Sequence, residues 1–313
     1  MNIFLSFFLF AVGVVLVIKG GDWFVDAASW IARAANIPTF IIGATIVSLA
    51  TTLPEMLVSV MAALDGKNDM AVGNAVGSVT ANTGLIMALA FIFMTVVAKR
   101  KDYLKQCLLL LTAGGVLWVG SLKGNVELWA CIVLILIFLT FMIINVKGAK
   151  SAEAPAEKTP VDKKDIGKNI ALFVVGAACI VLGSNLLIDN GSAIATALGV
   201  PERVIAVTMV AIGTSLPELV TTITAIRKKE AHLSAGNIIG ANIIDLSLIL
   251  PVCAFVSGES FAVSAQCLQI DFPACILISC IAILPLIIKE RGYKVQGALM
   301  LVAYVAYLAI SMI

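Results

Sequence analysis

The chain alternates long apolar blocks with short polar punctuation. A helix needs about 20 apolar residues to cross a bilayer. Ten segments meet that demand, at roughly 3–33, 38–64, 70–98, 104–122, 126–146, 168–198, 202–226, 233–256, 267–288 and 294–312. The pattern therefore predicts an all-α polytopic membrane protein of ten transmembrane helices. The first and sixth segments are long and carry Gly and Asp inside, which leaves room for a tilt or a break. The first block, MNIFLSFFLFAVGVVLVI, has no basic lead and no small-residue cleavage site, so it reads as a membrane helix and not as a cleaved signal peptide.

Basic residues set the orientation. The connections after spans 1, 3, 5, 7 and 9 hold Arg33, then Lys99, Arg100, Lys101 and Lys105, then the lysines of the central stretch, then Arg227, Lys228 and Lys229, then Lys289, Arg291 and Lys294. The opposite connections hold only Lys67, Lys123 and Arg203. The expected topology puts both termini outside and the odd-numbered connections in the cytoplasm, in the plasma (inner) membrane of a prokaryote. The segment KGAKSAEAPAEKTPVDKKDIG (147–167) is polar, contains Pro and lacks aromatics. It is expected to be a cytoplasmic linker between a first five-helix half, 1–146, and a second, 168–313.

The halves match at one fixed offset of 163 residues. GATIVSLATTLPEMLVS (43–59) aligns with AVTMVAIGTSLPELVTT (206–222), and GNAVGSVTANTGL (73–85) with GNIIGANIIDLSL (236–248). Gly20, Asp26, Ser29 and Pro38 match Gly183, Asp189, Ser192 and Pro201 without a gap. Five spans per half is an odd number, so the second half should enter the membrane upside down relative to the first. Two inverted five-helix repeats are an architecture of secondary transporters.

Composition narrows the classes. The chain is 61% hydrophobic and 13% charged, with a mean hydropathy of +1.07, against about a quarter charged for a soluble domain. The bilayer is thus the solvent and a partner. The net charge of +2 says little, and no basic run with interleaved aromatics points to nucleic acid. No obligate protein partner is evident. The seven cysteines (Cys107, Cys131, Cys179, Cys253, Cys267, Cys275 and Cys280) form no CxxC pair and read as small apolar packing residues. His232 is the single histidine, which argues against a histidine metal site or a His-dependent hydrolase. Trp23, Trp129 and Tyr103, near span ends, read as interfacial anchors. Asp22, Asp26 and Asp189 read as helix-end or interfacial residues.

Acids inside membrane spans are costly and mark function by default. Glu55 lies mid-span in TTLPEM, and Glu218 holds the matching place in TSLPEL. Pro54 and Pro217 precede them, and each should kink its helix, freeing carbonyls near Ser48 to Thr51 and Ala211 to Thr214. Such carbonyls at membrane depth are tolerated where something, such as a cation, uses them. Thr51 and Thr214 precede the glutamates by four, which puts hydroxyl and carboxylate on one face. In the following spans Asn74, Ser78 and Asn82 share a face, and Asn237, Ala241 and Asp245 repeat it. Asn74 and Asn237 could equally join helices through hydrogen bonds, while Gly73, Gly77, Gly236 and Gly240 allow close helix approach.

Across the pseudo-twofold axis Glu55, Glu218, Asn82 and Asp245 should converge near the midplane. They offer hard oxygens, with no Cys or His in the pattern, a set that suits Ca2+, Mg2+, Mn2+ or Na+. Three carboxylates held together away from water repel one another. One divalent ion, several monovalent ions or protons should therefore always be present, which is a physical basis for obligatory exchange. A channel would need no inverted repeat around one centre. An intramembrane protease would need GxGD or HExxH, and neither is present.

At these residues the sequence resembles the calcium/cation antiporter superfamily, most closely its prokaryotic sodium/calcium exchanger branch. The α-repeat signatures cover about 40–90 and 203–253. The resemblance implies alternating-access exchange of Ca2+ for Na+, with no tightly bound cofactor and no enzymatic activity. It implies Glu55 and Glu218 as main Ca2+ ligands, with carbonyls of Thr51 and Thr214, and Asn82 and Asp245 completing the centre. Thr52, Ser78 and Ser215, with carbonyls near Ser48 and Ala211, would serve Na+, and spans 1 and 6 would be the sliding pair. This sequence departs from the family pattern at three places: Ala50 stands for the motif glycine, Thr52 for serine, and Ala241 for a serine seen in many relatives. The last removes the hydroxyl matching Ser78, so exchange of Ca2+ or another divalent ion for H+ is the alternative.

Overall fold

The structure, a computed structural model, describes residues 3–35, 37–94, 100–151, 163–198, 215–258 and 261–311. It is helical throughout its described segments: α1 (Ile3–Ala34), α2 (Thr39–Thr51), α3 (Leu53–Leu64), α4 (Asn68–Phe93), α5 (Arg100–Gly120), α6 (Leu128–Ser151), α7 (Lys163–Ala197), α8 (Leu216–Arg227), α9 (Ala231–Val256), α10 (Cys267–Lys289) and α11 (Lys294–Ser311). Among the described residues eight of these are long and apolar enough to cross a membrane, and α2 with α3, bent by 46°, brings the number to nine if the pair is one span. Of the expected seventh span only Ser215 onward is described. The first and sixth spans are single unbroken helices of 32 and 35 residues. Helix also runs into the expected linker from both sides, to Ser151 and from Lys163, because lysine and alanine sustain a helix past the apolar block.

Large apolar side chains point outward. Phe4, Phe8, Leu57, Phe93, Val174 and Val302 are all exposed, which fits a lipid-facing rim. One apolar core joins α3, α4, α5, α6, α9 and α10. A second, smaller core seats α1 and α7 on α2 and α8. Helices α1 and α7 pack along each other through four glycines. A methyl at Gly13 would lie 2.9 Å from the Gly183 carbonyl oxygen, and one at Gly20 2.9 Å from that of Gly176, with the reciprocal distances equal. Any side chain there would force the backbones apart. Gly13 matches Gly176 and Gly20 matches Gly183 at the sequence offset, so the two halves meet through a self-reciprocal contact.

Local irregularities recur at the same offset of 163. Helices α3 and α8 both begin one residue before their proline. Gly66 and Lys229 both take positive φ, at 73° and 61°, in the turns that follow. A π-helical turn occupies Asn82–Met87 in α4 and Asp245–Ile249 in α9. A third, Gly43–Val47, lies in α2. A π turn adds a residue to the winding and so re-aims the side chains around it.

Tyr103 departs from the sequence reading. It is 2% exposed, stacks on Phe40 with ring centroids 4.3 Å apart and meets His232 Nδ1 through its hydroxyl. The ring is buried against Phe40 and the hydroxyl is spent on His232, itself exposed, so Tyr103 does not serve as an interfacial anchor. Trp23 and Trp129 are exposed as expected. The seven cysteines are free, five of them buried.

Candidate functional site

The break between α2 and α3 is built by sequence. Pro54 has no N–H, so the Ala50 carbonyl four residues earlier loses its helical donor. The Ser48 carbonyl, by contrast, keeps one, accepting from Thr52 N at 2.9 Å. Thr52 sits at φ −84° and ψ −2°, the hinge of the bend. Glu55 falls in the first turn of α3, and Glu218 in the first turn of α8. Carboxylates are favoured at such helix N-termini, where free N–H groups and the helix dipole are positive.

The expected residues gather in the protein's interior. Glu55 is 1% exposed, Glu218 and Asp245 0%, and Asn82 1%. Ser48, Thr51, Thr52, Ser78 and Ser215 are buried with them. Helix α8 contacts the π turn of α4, and α3 contacts the π turn of α9. Glu55 lies within electrostatic reach of Glu218 and Asp245, and Asp245 within reach of Glu218. Thr214 and Ala211 lie outside the described residues.

Much of the site's hydrogen-bonding capacity is unused. Both carboxylate oxygens of Glu55 and of Asp245, Oε2 of Glu218, both amide atoms of Asn82 and the Ser215 hydroxyl are buried without a protein partner among the described residues. Buried polar atoms are ordinarily paired, so this set is unusual and lies between two halves. Among the described residues no three Asp, Glu, Cys or His side chains form a metal cluster by themselves. An ion held here would draw on amide, hydroxyl and carbonyl oxygens as well as carboxylates.

Some partners are already in place. Thr52 Oγ1 donates to Glu218 Oε1 at 3.4 Å, across the halves. Asn74 donates to Ser59 Oγ at 2.9 Å and to the Glu55 carbonyl at 3.2 Å. Asn237 donates to Thr221 Oγ1 and accepts from Thr51 Oγ1, each at 3.2 Å. Asn242 donates to Thr83 Oγ1 at 2.8 Å between the two π-turn helices. Gly236 and Gly240 let α9 close on α2: a methyl at Gly240 would lie 2.6 Å from the Ala44 carbonyl oxygen, and one at Gly236 would strike that of Phe40. Gly73 and Gly77 have no such neighbour among the described residues.

Sequence reasoning did not single out Ser59, Thr83, Thr221 or Asn242. Thr221 and Ser59 follow their glutamates by three and four, a spacing that carries the signal. The Asn242–Thr83 contact has no counterpart in the repeat, because Val79 and Leu246 hold the matching places.

Asp22 and Asp26 form ion pairs. Lys228 Nζ lies 2.6 Å from Asp26 and 3.6 Å from Asp22, and Arg227 lies 3.9 Å from Asp22. With Lys19 and Trp23 they line a cleft of about 450 Å³ between the second half of α1 and the end of α8.

Fold and site together define a polytopic helical membrane protein with a buried, acidic, oxygen-lined centre between two related halves. A family model described as sodium/calcium exchanger protein matches residues 5–147 and 168–313, and the chain belongs to that family. It is 27% identical to the sodium/calcium exchanger MaX1 of Methanosarcina acetivorans over 97% of this chain and 98% of that one. It is 34% identical to the inner membrane protein YrbG of Escherichia coli over 80% of both chains. The solved structure of the sodium-calcium exchanger NCX_Mj, soaked with Na+ and without Ca2+, superposes with a TM-score of 0.85 at 27% identity, covering 98% of this chain and 99% of that one.

Proposed function

We propose that this protein is a secondary active antiporter that exchanges Ca2+ for Na+ by alternating access at the site between Glu55, Glu218, Asn82 and Asp245. One observation carries the reading: three buried carboxylates face one another with oxygens that find no partner in the described protein. Such a group needs a cation, and two different cations competing for it produce exchange without further machinery. Membership of the exchanger family and the likeness to MaX1 and NCX_Mj support Ca2+ and Na+ as the pair.

The remaining assignments rest on the repeat, on the placement of basic residues and on what the family resemblance implies. Ten helices stand as two inverted five-helix halves, with the 147–167 stretch cytoplasmic and both termini outside, in the inner membrane. Thr51, Thr214, Ser48 and Ala211 contribute carbonyls, Thr52, Ser78 and Ser215 hydroxyls, and α1 with α7, held together by their glycine contact, slides past the rest. The H+-coupled alternative rests on Ala241, which lacks the hydroxyl that Ser78 supplies in the other half.

The test is uptake of radiolabelled Ca2+ into liposomes under an outward Na+ gradient, with an outward H+ gradient at constant Na+ as a parallel arm. Uptake driven by Na+ and lost in the Glu55→Gln/Glu218→Gln double variant is expected. Uptake driven only by H+ would replace the coupling ion and keep the site. No uptake in either arm would remove Ca2+ as substrate.

A further inference from the structure

We infer that Asn237 is a positioning residue of this site, the centre of a hydrogen-bonded relay that ties the broken helix of the first half to the main chain of the second half's glutamate. The inference rests on the reading that cations bind between Glu55 and Glu218.

Asn237 stands on α9, 1% exposed. Its Nδ2 donates to Thr221 Oγ1 on α8 at 3.2 Å, and its Oδ1 accepts from Thr51 Oγ1 on α2 at 3.2 Å, a proton that Thr51 shares with the Ser48 carbonyl at 3.3 Å. Thr221 spends its own proton on the carbonyls of Pro217 and Glu218, at 2.6 and 3.1 Å. That fixes the direction of the relay. A hydroxyl has one proton, so Thr221 accepts from Asn237, the amide nitrogen faces Thr221, and the amide oxygen is left for Thr51. Thr52, next to Thr51, donates to the carboxylate of the same glutamate at 3.4 Å. Two adjacent threonines at the first-half break therefore hold Glu218 by two routes, one at its carboxylate and one, through Asn237 and Thr221, at its backbone.

The first half cannot build the mirror image. The place matching Thr221 is Val58, which has no hydroxyl. Asn74, matching Asn237, donates to Ser59 and to the Glu55 carbonyl, both within its own half. Its Oδ1 is buried without a partner among the described residues. Among the described residues the cross-half relay is seen once, on the side where Thr221 stands at the place matching Val58.

Partners that orient ligands typically contribute ten- to a hundredfold to metal affinity. Thr221→Val is near-isosteric and cuts the relay at its far end. Asn237→Leu removes its centre. In liposome exchange, each is expected to raise KM for Ca2+ about tenfold or more, with the maximal rate within about threefold of wild type. The double variant should be no worse than the more impaired single, because both cut one chain of bonds. Thr221→Ser, which restores the hydroxyl, should recover most of the affinity. The Ca2+-induced rise in melting temperature of purified protein should shrink in parallel.

An unchanged KM with lowered melting temperature would make the asparagine a helix-packing residue only and overturn the proposal. Additive losses in the double variant would overturn the relay. If Asn237→Leu fails to fold, the Thr221 pair of variants decides. If wild-type protein neither moves Ca2+ nor is stabilised by it, the exchanger reading falls and this inference with it. If wild type does both and Thr221→Val matches it, only this inference falls.

Discussion

Glu55 and Glu218 stand at the same place in two copies of one motif, yet the protein holds them differently. Glu218 takes a hydrogen bond on its carboxylate from Thr52 and one on its carbonyl from Thr221. Glu55 takes one on its carbonyl from Asn74, and neither carboxylate oxygen has a partner among the described residues. The backbones repeat, down to the prolines, the positive-φ turns and the π turns. The side chains around them do not: Asn82 corresponds to Asp245, Ser78 to Ala241 and Val58 to Thr221 in the repeat. Duplication thus supplies a symmetric frame, and a few substitutions make the centre asymmetric. One carboxylate is oriented in advance, and the other keeps its bonding capacity for an arriving ion.

The largest expected effect treats the glutamates alike. Glu55→Gln and Glu218→Gln should each lower Ca2+ uptake roughly a hundredfold, since each removes a full charge from a hard-ion site. A glutamate whose loss left uptake near wild type would break the comparison. The glycine contact should also be symmetric. Gly20→Val and Gly183→Val, matched positions, should slow exchange by about tenfold each, as overpacking typically costs 1–3 kcal/mol. Unequal effects would show that α1 and α7 do not share one contact.

Smaller effects separate the halves. Thr52→Val should raise KM for Ca2+ about fivefold, the worth of one ordinary hydrogen bond of about 1 kcal/mol, since 3.4 Å is long for a bond to a charged group. Ser215→Ala, whose hydroxyl has no partner among the described residues, should change it less than about twofold. Equal shifts would remove the asymmetry from that pair. Below these lies the ion cluster of α1 and α8. Asp26→Lys or Lys228→Asp should alter the exchange rate about two- to threefold, with recovery in the swapped double variant, as expected of partly exposed pairs. The repeat offers no counterpart, because Asp65 matches Lys228 and would repel Asp189.

The smallest effect is at the α5–α6 turn, where Lys123 and Glu127 lie 2.6 Å apart. The hydrogen bond from Lys123 lowers the Glu127 pKa, and Glu127 raises that of Lys123. The carboxylate's contribution is present above its unfolded pKa and lost as pH falls through the lowered one. That of the ammonium is present below its unfolded pKa and lost as pH rises through the raised one. Lys123 is exposed and Glu127 partly so, and such surface pairs contribute little, so Glu127→Gln should leave melting curves at neutral pH indistinguishable from wild type.

The apolar blocks made the helices legible because lipid imposes length and hydropathy on a span, and the offset of 163 marked the related halves. The buried acids were legible for the same reason: Glu55, Glu218 and Asp245 interrupt apolar runs where a charge is costly. The π turns were not. A π turn at Asn82 or Asp245 changes the winding by one residue and leaves the hydrophobic pattern almost intact. Tyr103 was misread because an aromatic near a span end looks the same whether its ring lies among headgroups or is buried against Phe40. Thr221 was overlooked because threonine in a membrane helix usually bonds back to its own turn, and only the fold places Asn237 opposite it.

The unbroken length of α1 and α7 has a mechanical consequence. At about 1.5 Å per residue, helices of 32 and 35 residues reach about 48 and 52 Å, well past a hydrocarbon slab of about 30 Å. They must lean or overhang, and the degree of lean depends on how thick the slab is. A thin membrane lays the pair flatter and a thick one stands it upright. Lipid chain length and saturation thereby act on the protein as a lateral load, and the membrane in which it sits becomes a working part of it.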